Sequence, residues 1–527
     1  MNIFNKASVY IGSVNSNLRF AFILLLFAVF YSYPSVLLKR PQSVHHWRQS
    51  DCASLAMMYS QTGMHFFQPQ THNLTSADNT NGYNAPSEIP FEYYFIAILY
   101  KIFGYHDFIF RLVNTLIFLT GIFYLFKTCT LLIKDFFWSS ATALFFFTSP
   151  VLVYYGNNFL TDTSAIAFTL IAWHFFFKYY FDRKTAYFLI AIVFFILAGA
   201  SKISALLSLA ALTGIFFMEL FRILTFTDKD KLFAKPGLSI FSFIGVFGLI
   251  AAWVFYAKKF NALHGSAYFS TWLIPLWDMN AEQIKGVMDA IQGLWLDQYF
   301  HVYALLFLAF AFLFTIIFIK RTNRLLMSIT LFLFIGTCIY IVLWFATFQS
   351  HDYYTINLYI LLIFALINFF WLIKNRFPKV FSNNYLKFVF TCFLVFNMLH
   401  ARDGMKGRYY GWWTEYPEYK DYHEVTPYLR SLGIAPLDTV VCLPDATHFT
   451  LYLMNQRGWT ACLDRNYDSA SVASSVQHGA KYLIVNGEET LKLEYLKSFF
   501  NEPIGQYNTI RVFKLNKSLY SLPSPPQ

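Results

Sequence analysis

A chain of 527 residues that is 57% hydrophobic and only 13% charged is too apolar for a soluble domain and requires lipid as solvent. Its formal net charge is +11, but the excess Lys and Arg falls in short segments between apolar runs. There it reads as a topology signal, which argues against nucleic acid as a partner.

Apolar runs expected to span a bilayer lie near Phe20 to Leu38, Phe108 to Phe126, Phe136 to Tyr155, Asp162 to Tyr180, Thr185 to Ala200, which is short by the length rule, Ile203 to Phe221, Gly237 to Ala257, Val302 to Ile319, Leu325 to Thr347, Thr355 to Ile373 and Tyr385 to His400. The chain is thus expected to be a multi-pass protein of the cell membrane with about 11 spans. The first run lacks a small-residue cleavage site and is expected to be retained. Lys127, Lys134, Lys178, Arg183, Lys184, Arg222, Lys320, Arg321, Arg324, Lys374, Arg376 and Lys387 fall in alternate connections, whereas Asn157 to Thr161 and Gln349 to Tyr354 carry no Lys or Arg. The basic connections are therefore expected in the cytoplasm with the N-terminus, and the polar C-terminal part outside.

Immediately after the first run comes His45-His46-Trp47-Arg48-Gln49-Ser50-Asp51, which gathers aromatic, cationic and anionic side chains at a membrane surface. Ser50 or Asp51 is expected to cap a short helix reaching about Gln61, and Asp51 is then either a simple cap or a chemical group. The rest of this first outer loop is too aromatic for a linker. Its end, Ile89 to Tyr100, is apolar but too short to span and suits an interfacial helix. In the loop Lys258 to His301, Tyr268, Trp272, Trp277, Trp295 and Tyr299 have the composition of a headgroup-level belt.

After His400 the pattern changes. Thr439-Val440-Val441-Cys442-Leu443 and Tyr482-Leu483-Ile484-Val485 read as buried strands. The expected organisation is an all-α membrane domain over 1–400, a small α/β extracytoplasmic domain over 401–516 and a disordered tail over 517–527. Cys442 and Cys462 are the pair that an oxidising exterior would allow to bridge, with an unpaired, buried Cys442 preferred.

Ionisable side chains recur at the outer ends of spans, where charge is costly: Arg48, Asp51, Glu88, Arg111, Asp162, Lys202 and the pair His351-Asp352. Singly, Arg111 and Lys202 read as snorkelling cations and Asp162 as a cap; together they read as one shared site. Displacing a lipid phosphate from a sugar's anomeric carbon needs a base near the incoming hydroxyl and cations where charge develops on the leaving phosphate. Because that phosphate leaves as a monoester, no acid is required and a divalent metal is optional.

The order and spacing of Trp47-Arg48-Gln49-Ser50-Asp51, Glu88-Ile89-Pro90, Gly104 to Leu112, Asn158 to Asp162, Ser201-Lys202 and His351-Asp352-Tyr353-Tyr354 resemble the type-C membrane glycosyltransferases. The protein O-mannosyltransferases and bacterial aminoarabinose transferases are the most similar groups, over about Phe20 to Ile373. The resemblance implies transfer of one sugar from a polyprenyl phosphate to a lipid, glycan or protein acceptor. It implies Asp51 as general base, Asp162 as a second acidic position, and Lys202 with Tyr353 or Tyr354 on the donor phosphate. Glu88 matches a glutamate that approaches a metal in aminoarabinose transferases. Ile89 stands where those enzymes carry lysine, so Arg48, Arg111 or His351 would supply the missing cation. Cys52 stands where mannosyltransferases tend to carry a second acid. A transporter or flippase for a lipid-linked sugar, or a sugar-chain polymerase or ligase, are the alternatives.

Overall fold

The computed structural model describes residues 15–75, 79–227, 231–269, 273–410, 417–461 and 468–519. The helices that build the bundle and the site, in chain order, are α1 (Ser16–Phe30), α2 (His46–Gln61), α3 (Phe91–Phe103), α4 (Asp107–Ile133), α5 (Phe136–Phe146), α6 (Pro150–Tyr155), α7 (Asp162–Asp182), α8 (Thr185–Ser201), α9 (Leu206–Leu220), α10 (Pro236–Leu263), α11 (Val302–Ile317), α12 (Arg324–Leu343), α13 (Tyr359–Arg376), α14 (Asn384–Tyr410) and α15 (Phe449–Met454). The strands are β1 (Thr439–Leu443), β2 (Arg457–Trp459), β3 (Tyr482–Asn486), β4 (Pro503–Tyr507) and β5 (Ile510–Lys514).

Among the described residues, 5 helices are long and apolar enough to cross a membrane, or up to 6 if the pair Ala281–Tyr299 and Val302–Ile317, bent by 84°, counts as one. The protein is a multi-pass membrane protein. The other expected spans fall on helices that are short, broken or polar. The run Phe136 to Tyr155 is divided between α5 and α6, where Ser149 accepts from Leu152 N as a cap and Pro150 opens the second helix. α8 has only 17 residues. α7 is long enough at 21 residues, but Asp162, Thr163, Ser164, Thr169 and His174 lower its hydropathy.

The chain divides into two compact units. Unit 1 comprises Met1–Leu37, Arg111–Ala251 and Trp272–Gly407. It is a helical bundle in which α7 packs along α8, α9 along α12, and α13 against α11 and α12. Threonine and serine hydroxyls bond back within their own helices, as Thr128 does to Tyr124 O and Thr169 to Ala165 O, so few polar groups need an outside partner.

Unit 2 comprises Leu38–Phe110, Ala252–Thr271 and Arg408–Gln527. Here α2 packs against α3 and α15. As expected, the segments at Thr439 and Tyr482 are strands. The five-stranded sheet runs β2-β1-β3-β5-β4, with β2, β1 and β3 parallel and β5 antiparallel to both β3 and β4. Its core joins Val441, Leu443, Leu483 and Val485 with Val472, Val476 and Phe513. The connection between α2 and α3 extends the β2 edge: Gly458 N donates to His72 O (3.0 Å) and Leu74 N to Gly458 O (2.8 Å). A Cβ on Gly458 would meet Val440 O at 1.8 Å, so only glycine admits so close an approach of β2 to β1. Cys442 is free and buried, its thiol 3.3 Å from Tyr422 Oη. Cys462 and most of the expected disordered tail, 520–527, lie outside the described residues.

Candidate active site

The expected site residues fall into two clusters, one in each unit. In unit 2, α2 begins at His46, after His45 in the left-handed conformation (φ 55°). This corrects the expectation that Ser50 or Asp51 caps a helix. Gln49 closes the start instead, its amide donating to Val44 O (2.9 Å) and Gln42 O (2.8 Å). Asp51 therefore stands in the second turn, where a carboxylate has no capping work, and it is 1% exposed.

A buried carboxylate must find partners. Asp51 Oδ1 accepts from Tyr268 Oη at 2.9 Å, and His448 Nε2 lies 2.8 Å from the same oxygen. Oδ2 faces Arg48 Nη1 at 3.7 Å. Tyr268 is thus a ligand of the acid rather than a member of a headgroup belt, and its ring tilts against His448 at 4.7 Å. His448 is completely buried. It follows the carboxyl end of β1, where Asp445 ties the turn by accepting from Thr447 N (2.8 Å), Thr450 N (3.0 Å) and Thr450 Oγ1 (2.6 Å). Functional groups favour that place in a parallel sheet. Sequence reasoning found the strand but missed His448. The available signal was Asp445-Ala446-Thr447-His448 directly after a predicted buried strand.

Arg48 belongs chiefly to Glu88. Its Nη2 lies 2.5 Å from Glu88 Oε1, which also accepts from Tyr93 Oη at 2.7 Å. Burial opposes the guanidinium's charge, yet the polar surroundings, the Glu88 carboxylate foremost, outweigh it and raise the pKa well above the ordinary arginine value. Glu88 is held in place from α10: Asn261 exchanges two bonds with Ala85 (2.7 and 2.8 Å), and Trp253 Nε1 donates to Pro86 O (3.2 Å). With a guanidinium against its carboxylate, Glu88 does not present the oxygen set that a divalent cation takes. Cys52, next to Asp51, is a neutral thiol; burial pushes its pKa up to about 12.

In unit 1, α7 opens with Asp162, 1% exposed, and Lys202 Nζ lies 3.1 Å from its Oδ1. Lys202 leaves α8 in extended conformation, and Thr161 Oγ1 donates to Ser201 O (3.1 Å), joining the start of α7 to the end of α8. The ammonium stands 4.8 Å from the Tyr354 ring centroid and 5.4 Å from that of Tyr353, a favourable placement for a cation. His351 lies beside both rings at 5.5 Å. Asp352 is fully buried and accepts from Tyr155 Oη at 2.7 Å. The residues expected around a phosphate, Lys202, Tyr353, Tyr354 and His351, are therefore brought together, with Asp162 fixing the ammonium.

Arg111 has partners of its own on the connection before α7. It is completely buried, stacks on Phe159 at 4.5 Å and donates to Asn157 O at 2.6 Å. Asn114, one turn on, donates to Asn158 O and Leu160 O. These two side chains hold the Asn157–Thr161 connection and so set the position of Asp162.

Comparison with known proteins follows from this geometry. The family described as dolichyl-phosphate-mannose-protein mannosyltransferase matches residues 85–256. Among curated proteins, none matches in sequence. The fold is similar to that of ArnT from Cupriavidus metallidurans in the apo state, with a TM-score of 0.58 at 12% identity over 96% of this chain and 99% of that one. The same protein bound to undecaprenyl phosphate aligns with a TM-score of 0.56 at 11% identity, over 96% and 99% of the two chains. Arabinofuranosyltransferase AftD from Mycobacteria aligns over 96% of this chain but only 40% of its own, with a TM-score of 0.52 at 12% identity. At these identities the likeness is one of fold, and it bears out the resemblance to type-C membrane glycosyltransferases.

Proposed function

We propose that this chain is a glycosyltransferase that moves a single sugar from a polyprenyl phosphate to an acceptor hydroxyl on the outer face of the membrane. The observation that carries the reading is the Asp51 carboxylate, buried in the second turn of α2 with Tyr268 and His448 on one oxygen. No capping or packing duty explains an acid there. The acceptor oxygen attacks the anomeric carbon and its proton passes to Asp51. The bond from that carbon to the phosphate oxygen breaks, and its electron pair leaves with the polyprenyl phosphate.

Lys202, over Tyr353 and Tyr354 and beside His351, is the charge partner of the phosphate, with Asp162 holding the ammonium. The undecaprenyl phosphate bound to ArnT, whose fold this chain resembles, supports a polyprenyl carrier. Arg48, already matched by Glu88, stands beside Asp51 Oδ2 and helps to position the carboxylate. No metal is required. In this reading all eleven apolar runs cross or enter the bilayer, the N-terminus is cytoplasmic, and the polar region from about residue 401 lies outside. The acceptor is a lipid, glycan or protein hydroxyl.

Purified protein incubated with a panel of polyprenyl phosphate sugars should take the sugar from one of them and release polyprenyl phosphate. Retention of the sugar by every donor, with and without envelope lipid as acceptor, would refute the reading.

A further inference from the structure

The end of unit 1 away from Asp162 and Lys202 holds a second concentration of positive charge that sugar transfer does not use. A cavity of about 350 Å³ is lined there by Asn17, Lys127, Thr130, His174, Lys178 and Tyr187, with Leu131 and Phe175 as apolar wall. α7 carries both regions. From Asp162 to Lys178 the helix advances roughly 24 Å at 1.5 Å per residue, most of the thickness of a hydrocarbon core.

Each of the two lysines stands over an aromatic ring. Lys127 Nζ lies 4.8 Å from the Tyr124 ring centroid, and Lys178 Nζ lies 5.2 Å from that of Tyr187. Lys178 also pairs with Asp182 at 2.7 Å. Among the described residues, no carboxylate pairs with Lys127. His174, buried at 4% exposure, brings its imidazole to the same wall, with Thr128 Oγ1 3.5 Å from Nδ1. Two ammonium groups and an imidazole thus face one cavity against a single carboxylate. A topology signal works from any loop position and does not require cations to converge on one cavity.

We propose that this cavity binds a phosphate group, with Lys127 and Lys178 as its charge partners and Asn17, Thr130 and His174 as hydrogen-bonding neighbours. Basic pockets between membrane helices favour acidic headgroups, and the apolar wall suits the glycerol and first methylenes of a phospholipid. A soluble phosphate ester offers the same chemistry. The site is independent of the transfer reaction, so either can fail without the other.

The test is native mass spectrometry of the purified full chain in an equimolar mixture of phosphatidylglycerol and phosphatidylcholine, with a parallel arm in millimolar sn-glycerol 1-phosphate. Wild type should retain phosphatidylglycerol preferentially. The variant Lys127→Gln/Lys178→Gln should lose that preference by about tenfold, two headgroup-facing charges being removed. Lys127→Gln alone should lose part of it, which serves if the double variant does not fold. Lys320→Gln/Lys379→Gln, at two exposed positions outside the cavity, should leave it unchanged. Binding of glycerol phosphate to wild type but not to the cavity variant, without lipid preference, would support the phosphate site and assign its ligand to solution. Binding of neither, undiminished lipid preference in the cavity variants, or an equal loss in the Lys320→Gln/Lys379→Gln control would overturn the proposal.

Discussion

His448 Nε2 lies 2.8 Å from Asp51 Oδ1, although one residue follows the first apolar run and the other follows a strand of the C-terminal sheet. With Tyr268 on the same oxygen, the pair leaves Oδ2, on the Arg48 side, as the oxygen available for the proposed proton transfer. The groups facing His448 are Asp51, Tyr268 and His72, whose pKa is lowered by burial and by the charge of His448. His448 is therefore a positioning residue. His448→Asn is expected to lower kcat about tenfold or more while donor affinity holds. His448→Gln, which can still bring an N–H group to Asp51 Oδ1, should recover part of the lost rate. Equal rates in the two variants would assign His448 to packing alone.

Lys202 presents a different balance. Removing it takes a cation from the phosphate and leaves the buried Asp162 carboxylate without its 3.1 Å partner, so donor affinity and stability should fall together. Asp162→Asn/Lys202→Gln removes the second effect. That double variant is expected to keep its thermal stability and to bind donor about tenfold more weakly. Unchanged donor affinity, measured by titration with a polyprenyl phosphate sugar, would move the phosphate site elsewhere.

His72 makes a prediction about pH and stability. Burial lowers its pKa to about 3, and its Nδ1 lies 2.8 Å from Ser54 Oγ. The native state therefore keeps it neutral where the unfolded chain would bind a proton. Its contribution is complete above the ordinary histidine pKa and is lost as pH falls below it, at up to about 1.4 kcal/mol per pH unit. Thermal unfolding of unit 2 between pH 7.5 and 5 should show this loss, and His72→Asn should reduce its slope. An identical slope in the variant would contradict the assignment.

Orientation is tested by labelling. Cysteine placed at Ser382 should react only from the cytoplasmic side, and cysteine at Ser469 only from outside, since the basic connections set the topology. The reverse pattern would place the proposed chemistry on the wrong face.

What could be read from sequence was local. The apolar runs Thr439–Leu443 and Tyr482–Val485 announced buried strands, and both formed. Lys202, Tyr353 and Tyr354 were expected on one phosphate, and they stand within 5.4 Å as ammonium over ring. The surroundings of Asp51 were not legible, because they arise from contacts remote in sequence. A polar pair before an apolar stretch has the pattern of a cap, but the turn at His45 and the side chain of Gln49 start the helix earlier. Tyr268 looked like one aromatic among several in a belt, and nothing local marks its hydroxyl as a donor to an acid. His448 lay in the region for which no resemblance was available. The span count was blurred for a physical reason as well: Pro150 interrupts one apolar run, and the polar residues of α7 are buried by protein, so hydropathy is a poor guide to where lipid begins.

The central claim is that Asp51 accepts the acceptor's proton. Asp51→Asn preserves shape, and its side chain can still receive the Tyr268 hydroxyl, but it cannot take up a proton at neutral pH. The decisive measurement is sugar transfer and donor binding in the same folded Asp51→Asn preparation. Turnover should fall by roughly two orders of magnitude or more while donor affinity persists. Near-normal transfer by that folded, donor-binding variant would contradict the account.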